Sequence, residues 1–182
     1  MGIIGYQTAP IEPTTVITTG SPGFCEFSEY IHHACGQAFT LTTTAPSANR
    51  AYCVGVRVQQ PVTIMQMAVT VVTQSGNIDV GIYDVNASLL VSAGATAVAA
   101  PGIQVFNVTD TLLVPGHYFL ATSMDNTTVR LRGGTNGTAA TAATSACYID
   151  SSSYPLPSTG TPEFFVSTWI PWIAAYTSAV TV

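Results

Sequence analysis

The feature that most constrains the fold is a two-residue alternation of apolar side chains between Asn77 and Asp125. It is carried first by Ile78, Val80 and Ile82, then by Ile103 and Val105, and then by Phe119 and Ala121. This is the period of a strand with one buried face. Turn residues separate the runs at Asp84–Asn86, Pro101–Gly102 and Pro115–Gly116. The stretch therefore predicts consecutive strands of one antiparallel sheet.

Strand-like runs continue on both sides of this stretch. They are predicted at residues 51–59, 63–73, 128–132, 146–149, 163–168 and 173–176. Strands at intervals of about 8–12 residues are typical of a β-sandwich or jelly roll. The predicted fold class is all-β, an antiparallel, jelly-roll-like β-sandwich with an extended N-terminal arm. The arm spans residues 1–22, a connecting segment spans 23–49, and the sandwich domain spans 50–182. Within the connecting segment, residues 24–39 fit either a helical turn or a strand and loop, and 41–49 are predicted to be a connector.

Charge is scarce throughout the chain. Only 7% of its 182 residues are charged, whereas an average domain has roughly 25%. There is no lysine, and the net charge is −5. Because soluble monomers usually carry mixed charges, this composition favours a surface that is covered by a partner or by symmetry copies. Hydration by threonine, serine and asparagine is the alternative. No basic footprint indicates nucleic-acid binding, and no run approaches the ~20 apolar residues of a membrane span.

The first 22 residues are predicted to form a docked arm. Their prolines and glycines exclude a long helix. Their apolar content is too high for an ordinary disordered tail, so docking on a neighbour is expected. The residues expected to make this contact are Ile3, Ile4, Tyr6, Ile11, Val16 and Ile17. The segment has no basic and apolar leader, so no secretory signal is predicted.

The four cysteines are compatible with disulfides between Cys25 and Cys35 or between Cys53 and Cys147. A zinc site with His32 or His33 is the alternative, but the chain lacks the short Cys-x2–4-Cys spacing that zinc knuckles use. Free cysteines that act as small buried hydrophobes are favoured. No metal and no cofactor are predicted.

Catalytic motifs are not apparent in the sequence. A carboxylate pair such as Asp79 with Asp125 fits the requirement for glycoside hydrolysis only if the two flank a cleft. Asp84, Asp110 and Asp125 lie at predicted strand ends, where aspartate is expected to form turn hydrogen bonds. There is no Gly-x-Ser-x-Gly elbow, and His117 is expected to be a solvated turn residue. The chain is therefore predicted not to be an enzyme.

Aromatic side chains cluster late in the chain. They are Tyr148, Tyr154, Trp169, Trp172 and Tyr176. Burial in the core is the favoured interpretation. A subunit-interface anchor and a sugar-stacking platform are the two alternatives.

Two segments resemble jelly-roll domains of tailed-phage virion proteins, such as tail-fibre, minor tail and head-decoration proteins. They are Val80-Gly81-Ile82-Tyr83-Asp84 and Leu113-Val114-Pro115-Gly116-His117-Tyr118-Phe119-Leu120-Ala121. The resemblance covers roughly residues 54–132, and carbohydrate-binding modules share similar strand and turn patterns. It implies a particle component without catalytic activity.

The expected function is therefore a non-enzymatic structural protein on the exterior of a phage virion, as a capsid decoration or cement protein or as a short fibre. Its expected partners are other virion proteins and copies of itself, with a trimer preferred. Its expected location is the virion, assembled in the host cytoplasm. Besides the arm, Trp169, Trp172 and Tyr176 are the predicted interface residues. The alternative is a β-sandwich module that binds a host-surface glycan.

Overall fold

The computed structural model describes residues 25–26, 40–44, 47–135, 147–151, 154–160, 163–164 and 169–177. Its side chains are described for residues 47–133, 154–160 and 171–177. The arm at residues 1–22 and its predicted contacts lie outside these ranges. Within them all regular structure is β, and no helix has the length and hydropathy required to span a bilayer.

Fourteen strands follow one another along the described chain. They are β1 (Cys25–Glu26), β2 (Thr40–Thr44), β3 (Arg50–Val58), β4 (Val62–Thr73), β5 (Asn77–Asp84), β6 (Leu89–Ser92), β7 (Thr96–Ala97), β8 (Gly102–Leu113), β9 (Gly116–Met124), β10 (Arg130–Thr135), β11 (Cys147–Ser151), β12 (Glu163–Phe164), β13 (Trp169–Pro171) and β14 (Ile173–Tyr176).

The strands form two sheets that pack face to face. Sheet I has the order β12-β11-β3-β9-β5-β6, with β1 beside β3 and β7 beside β5. Sheet II has the order β13-β10-β4-β14, with β2 beside β10 and β8 beside β4. All pairings are antiparallel except the short β1–β3 pair. The predicted antiparallel β-sandwich is confirmed.

The main core lies between the two sheets. Sheet I contributes the inward residues of β3, β5 and β9, for example Val56, Ile82 and Leu120. Sheet II contributes those of β4 and β14, for example Met67 and Ile173. Each of these side chains is at most 3% exposed. The two-residue period of the strands thus supplies one continuous apolar layer.

The prediction that residues 77–125 form consecutive strands of one sheet was wrong for β8. Strands β5, β6 and β9 are neighbours in sheet I, but β8 pairs with β4 in sheet II. The prediction failed because alternation identifies a half-buried strand without specifying which of the two sheets it joins.

The connector predicted at residues 41–49 was also wrong in part. Residues 40–44 form β2, which pairs with β10 from Thr40↔Thr135 to Thr44↔Leu131. A run of threonines suits an edge strand because β-branched side chains favour the extended backbone. Of residues 24–39, the described part is the strand residues Cys25 and Glu26; the rest of the helical option lies outside the described ranges.

A segment that we call the strap, residues 154–160, covers the outer face of sheet I. Leu156 packs there in a second apolar cluster that includes Cys53, Tyr83 and Phe119. The Tyr83 hydroxyl donates a hydrogen bond to the Pro157 carbonyl at 2.8 Å. The Leu89 amide donates to the Ser158 carbonyl at 2.9 Å, and the Gly160 amide donates to the Ala87 carbonyl at 2.7 Å. Sheet I is therefore covered on both faces.

The fold predicts that Gly81→Ala will destabilise the protein. An added Cβ would stand 2.6 Å from the Val91 carbonyl oxygen and 2.9 Å from Cδ1 of Leu156, so β6 and the strap would have to move. We expect the free energy of unfolding in urea to fall by about 1–3 kcal/mol. Gly116→Ala is the matched control, because its Cβ would meet nothing closer than 3.6 Å, and it should change stability by less than about 0.5 kcal/mol. Equal losses in the two variants would contradict the close packing at Gly81.

Candidate functional site

The outer face of sheet II presents a flat surface that we call the platform, built from β14, β4 and β8. The strand registers align its side chains in rows across the three strands. One row is Tyr176–Gln66–Asn107, the next is Ala174–Ala68–Val105, and the third contains Thr70–Ile103. Trp172 directly precedes Ile173, the first paired residue of β14. Trp172 belongs to this face because it precedes the buried Ile173 in the alternation of the chain.

The platform is apolar and carries no formal charge. Its nine side chains comprise two aromatic residues, four aliphatic residues, one threonine and two amides. Trp172 is 43% exposed and Ile103 is 51% exposed. The two amides bind each other, because Nε2 of Gln66 donates to Oδ1 of Asn107 at 2.7 Å. Apolar atoms are common on protein surfaces, and the platform is notable because its uncharged side chains adjoin one another on a single face.

Charged residues border the platform on β10. Arg130 and Arg132 are exposed and alternate with the buried Leu131, so they lie on the outer side of sheet II. The Trp172 amide donates to the Arg132 carbonyl at 3.1 Å, which holds the start of β14 against β10. An apolar centre with a polar rim is the usual anatomy of a protein interface.

Core burial, the interpretation favoured for the late aromatic residues, was wrong for Trp172. Tyr176 lies on the same face and is partly buried. The backbone of Trp169 pairs with Thr135, whereas its side chain lies outside the described ones. The structure thus brings Trp172 and Tyr176 together on one surface. Their role as interface residues stays a prediction.

The sequence missed the contribution of β8 to this surface. Its alternation at Ile103 and Val105 predicted a buried face, but both side chains point outward, and Phe106 and Val108 enter the core instead. Each alternating set on β8 contains two apolar residues, Ile103 and Val105 in one and Phe106 and Val108 in the other, so these residues alone could not decide which set is buried. The signal that was available is that Asn107, the next residue of the outward set, is polar.

The carboxylate pair Asp79 and Asp125 lies on the outer face of sheet I. In the β5–β9 register Asp79 is opposite Ser123, two residues before Asp125. Asp79 is 0% exposed because the strap covers it, and Oδ2 of Asp79 accepts the Leu156 amide at 2.9 Å. A polysaccharide cannot reach a carboxylate in that position, so the pair does not flank a cleft as glycoside hydrolysis requires.

Asp125 ties two turns together at one end of the sandwich. Its Oδ1 accepts the Asn77 amide at 3.0 Å, and its Oδ2 accepts the Asn77 side-chain amide at 2.6 Å. The Asn126 side chain donates to Oδ1 at 2.6 Å. Burial raises the pKa of Asp125, but these hydrogen bonds outweigh it, and the pKa lies below its ordinary value of 3.8. Asp84 forms a similar turn, since its Oδ1 accepts the amides of Asn86 and Ser88. The predicted turn bonds of Asp84 and Asp125 are thus confirmed, whereas Asp110 lies inside β8 and not at a strand end, so its predicted position was wrong.

The remaining candidate residues do not assemble into a reactive site in the described part of the chain. Cys53 is buried in the apolar cluster beneath the strap, as its interpretation as a small buried hydrophobe predicts. Of the side chains described, no three among histidine, cysteine, aspartate and glutamate converge as metal ligands. His117 is exposed, as expected, but it lies within β9 opposite Arg57 and not in a turn. Cys25, Cys35, His32 and His33 lie outside the described side chains.

Comparison with known proteins adds no family to this geometry. The chain matches no protein-family model, and no curated protein matches it.

The Asp125 network predicts a specific pH dependence of stability. Because the folded pKa is lowered, the stabilisation is complete above the unfolded value near 3.8 and is lost as the pH falls through the folded pKa. Asp125→Asn should therefore be less stable than the wild type by about 1–2 kcal/mol at neutral pH. This difference should shrink as the pH falls below about 4. Urea unfolding at a series of pH values measures it, and a difference that stays constant down to low pH would contradict the assignment.

Proposed function

We propose that this chain is a non-enzymatic structural protein of a tailed-phage virion, displayed on the particle exterior as a capsid decoration or cement protein or as a short fibre. It associates with copies of itself, with a trimer preferred, and with other virion proteins. Association buries apolar surface and uses the N-terminal arm as an added strand. The proposal assigns no catalytic step to the chain.

The observation that carries the proposal is the platform. Sheet I is covered by sheet II on one face and by the strap on the other, whereas no described segment is seen to pack over the outer face of sheet II, where Trp172 and Ile103 are exposed and Ala68 between them is buried. That face has Trp172 and Ile103 exposed and no charged side chain among its rows. Transfer of such a surface out of water is favourable at about 25 cal/mol per Å² of apolar area.

The platform is too small to form a stable interface alone, so a second contact with the partner is needed. Three strands about 4.8 Å apart, over roughly six residues of about 3.3 Å each, give a face of about 300 Å². A stable interface buries about 800 Å² on each partner. The platform therefore anchors an interface that further chain segments must complete, and the apolar arm at residues 1–22 is the segment that we assign to this role.

The resemblance to phage jelly rolls supports the choice of particle. Its two motifs, one on β5 and one on β9, are hydrogen-bonded neighbours in sheet I, from Val80↔Thr122 to Asp84↔Tyr118. They therefore form one structural unit.

The proposal predicts that a charge on the platform will break self-association. We expect the unaltered protein to sediment as a discrete oligomer and Ile103→Lys to sediment as a monomer, since a buried lysine without a partner is costly. Leu90→Lys is the matched control, because Leu90 is 42% exposed on β6 of sheet I and is not one of the nine platform residues, and it should leave the oligomer intact. A monomeric wild type, or an oligomer that survives Ile103→Lys, would contradict the proposal.

A second candidate function is recognition of a host-surface glycan, favoured by the exposed Trp172 at one end of the platform and by Tyr176 and two amides at the other. Aromatic faces stack on sugars, and amides provide directional hydrogen bonds. On this reading Trp172→Ala abolishes binding to a glycan array and changes the free energy of unfolding by about 1 kcal/mol or less. Ile173→Ala, in the core at 3% exposure, should cost about 2–5 kcal/mol. If Trp172→Ala loses as much stability as Ile173→Ala, Trp172 is a packing residue and the glycan hypothesis fails.

A further inference from the structure

Two cysteines begin the two short strands that lie along one side of β3. Strand β1 starts at Cys25 and β11 starts at Cys147. Strand β9 pairs with residues 51–58 of β3 on the opposite side. Because a strand has only two sides for pairing, β1 and β11 share the remaining side and lie end to end beside β3.

The strand registers place these two cysteines at neighbouring positions. Cys25 pairs with Val56 in the parallel β1–β3 pair, and Cys147 pairs with Val54 in the antiparallel β11–β3 pair. Positions two residues apart on a strand are separated by about 6.6 Å, and both cysteines are displaced from β3 by one strand spacing in the same direction. Their Cα atoms are therefore also about 6.6 Å apart, within the range of about 4.4–6.8 Å that disulfides usually join.

Both cysteines occupy positions on the core side of sheet I. Val54 and Val56 are each 2% exposed and belong to the core between the two sheets. Residues that pair across neighbouring strands lie on the same face of a sheet, so Cys25 and Cys147 share the face of these valines. A common face and a short Cα separation are the two backbone conditions for a disulfide.

The same register separates Cys147 from Cys53. Cys53 pairs with Tyr148 and packs with Leu156 in the cluster beneath the strap, on the outer face of sheet I. Cys147 directly precedes Tyr148 on β11, so it lies on the opposite, core-side face. The Cys53–Cys147 disulfide that the sequence allowed is therefore disfavoured, because the sheet itself lies between the two positions.

We propose that Cys25 and Cys147 are a cross-linking site that forms a disulfide with a low-molecular-weight disulfide, such as oxidised glutathione, as the oxidant. The Cys25 thiolate attacks one sulfur of oxidised glutathione and releases one glutathione thiolate. The Cys147 thiolate then attacks the Cys25 sulfur of this mixed disulfide and releases the second glutathione. The two protein thiols lose two electrons and two protons, and one oxidised glutathione becomes two reduced ones.

The cross-link would fasten the start of the described chain to the sandwich. The β1–β3 pair has two residues on each strand, so few backbone hydrogen bonds hold it. A disulfide from β1 to β11 closes a loop of about 120 residues, which contains β2 to β10. Restricting so long a loop in the unfolded chain should raise the Tm by about 5–15 °C.

Peptide mapping of the full-length chain tests the proposal. The protein is unfolded in reductant, refolded in a mixture of reduced and oxidised glutathione, and alkylated. Trypsin cleaves after the arginines, and the chain has no lysine, so the four cysteines fall on the peptides 1–50, 51–57 and 133–182. We expect 1–50 to be joined to 133–182 by one disulfide that reductant removes.

A second protease identifies which cysteine of the first peptide is linked. Glu-C cleavage after Glu26 separates Cys25 from Cys35, and the Cys25 fragment should remain joined to Cys147. The proposal is overturned by a disulfide that includes Cys35 or Cys53. It is also overturned if Cys25 and Cys147 are alkylated or joined to glutathione in the refolded protein.

Thermal unfolding measures the effect of the cross-link. The oxidised wild type should melt about 5–15 °C above the same protein in reductant, a comparison that needs no substitution. Cys25→Ala should abolish this difference. Cys53→Ala is the matched control, since it also removes one thiol of sheet I but should leave the difference intact. A difference that survives Cys25→Ala, or that Cys53→Ala abolishes, would show that another pair of cysteines is cross-linked.

Discussion

The burial of sheet I on both faces is the constraint on which the rest of this structure depends. Strand β5 is buried at every position except its two ends, and β9 is buried from Tyr118 to Met124. An antiparallel strand in a sandwich usually has one solvated face. Here the strap removes that face from water, so polar residues such as Asp79 must find partners within the protein. The hydrogen bond from the Leu156 amide to Asp79 both satisfies the acid and positions the strap.

The two sheets differ in whether another described segment of the chain covers their outer face. Sheet I uses its outer apolar residues, such as Phe119 and Ala121, to bind the strap within the chain. Sheet II has comparable residues on its outer side, Ile103 and Trp172 among them, but no described segment packs over them. The chain has few charged residues that could hydrate this apolar face. We propose that contact with another molecule removes the face from water.

The sequence was sufficient for the class of fold and for most strands, because two-residue alternation follows directly from the geometry of an extended chain. It was insufficient for β8, where Ile103 and Phe106 belong to opposite faces and both are apolar. It also missed the strap, since Leu156 between two prolines has no periodicity to detect. The platform combines residues distant in sequence, such as Thr70 and Trp172, so only the pairing of strands reveals it. Asp79 interrupts the apolar run of β5, and this interruption was the signal in the sequence that a buried polar group lies there.

We propose that the platform is covered when the protein assembles. Hydroxyl-radical footprinting with mass spectrometry tests it directly, by comparing the labelling of Trp172 with that of Leu90 in dilute and concentrated protein. The two side chains are 43% and 42% exposed, respectively, so Leu90 is an internal reference. If the platform is buried on self-association, the labelling of Trp172 should fall severalfold as the protein concentration rises, whereas the labelling of Leu90 should stay constant. Burial of the platform would be contradicted if the protein stays monomeric and the ratio of Trp172 labelling to Leu90 labelling is the same at all protein concentrations.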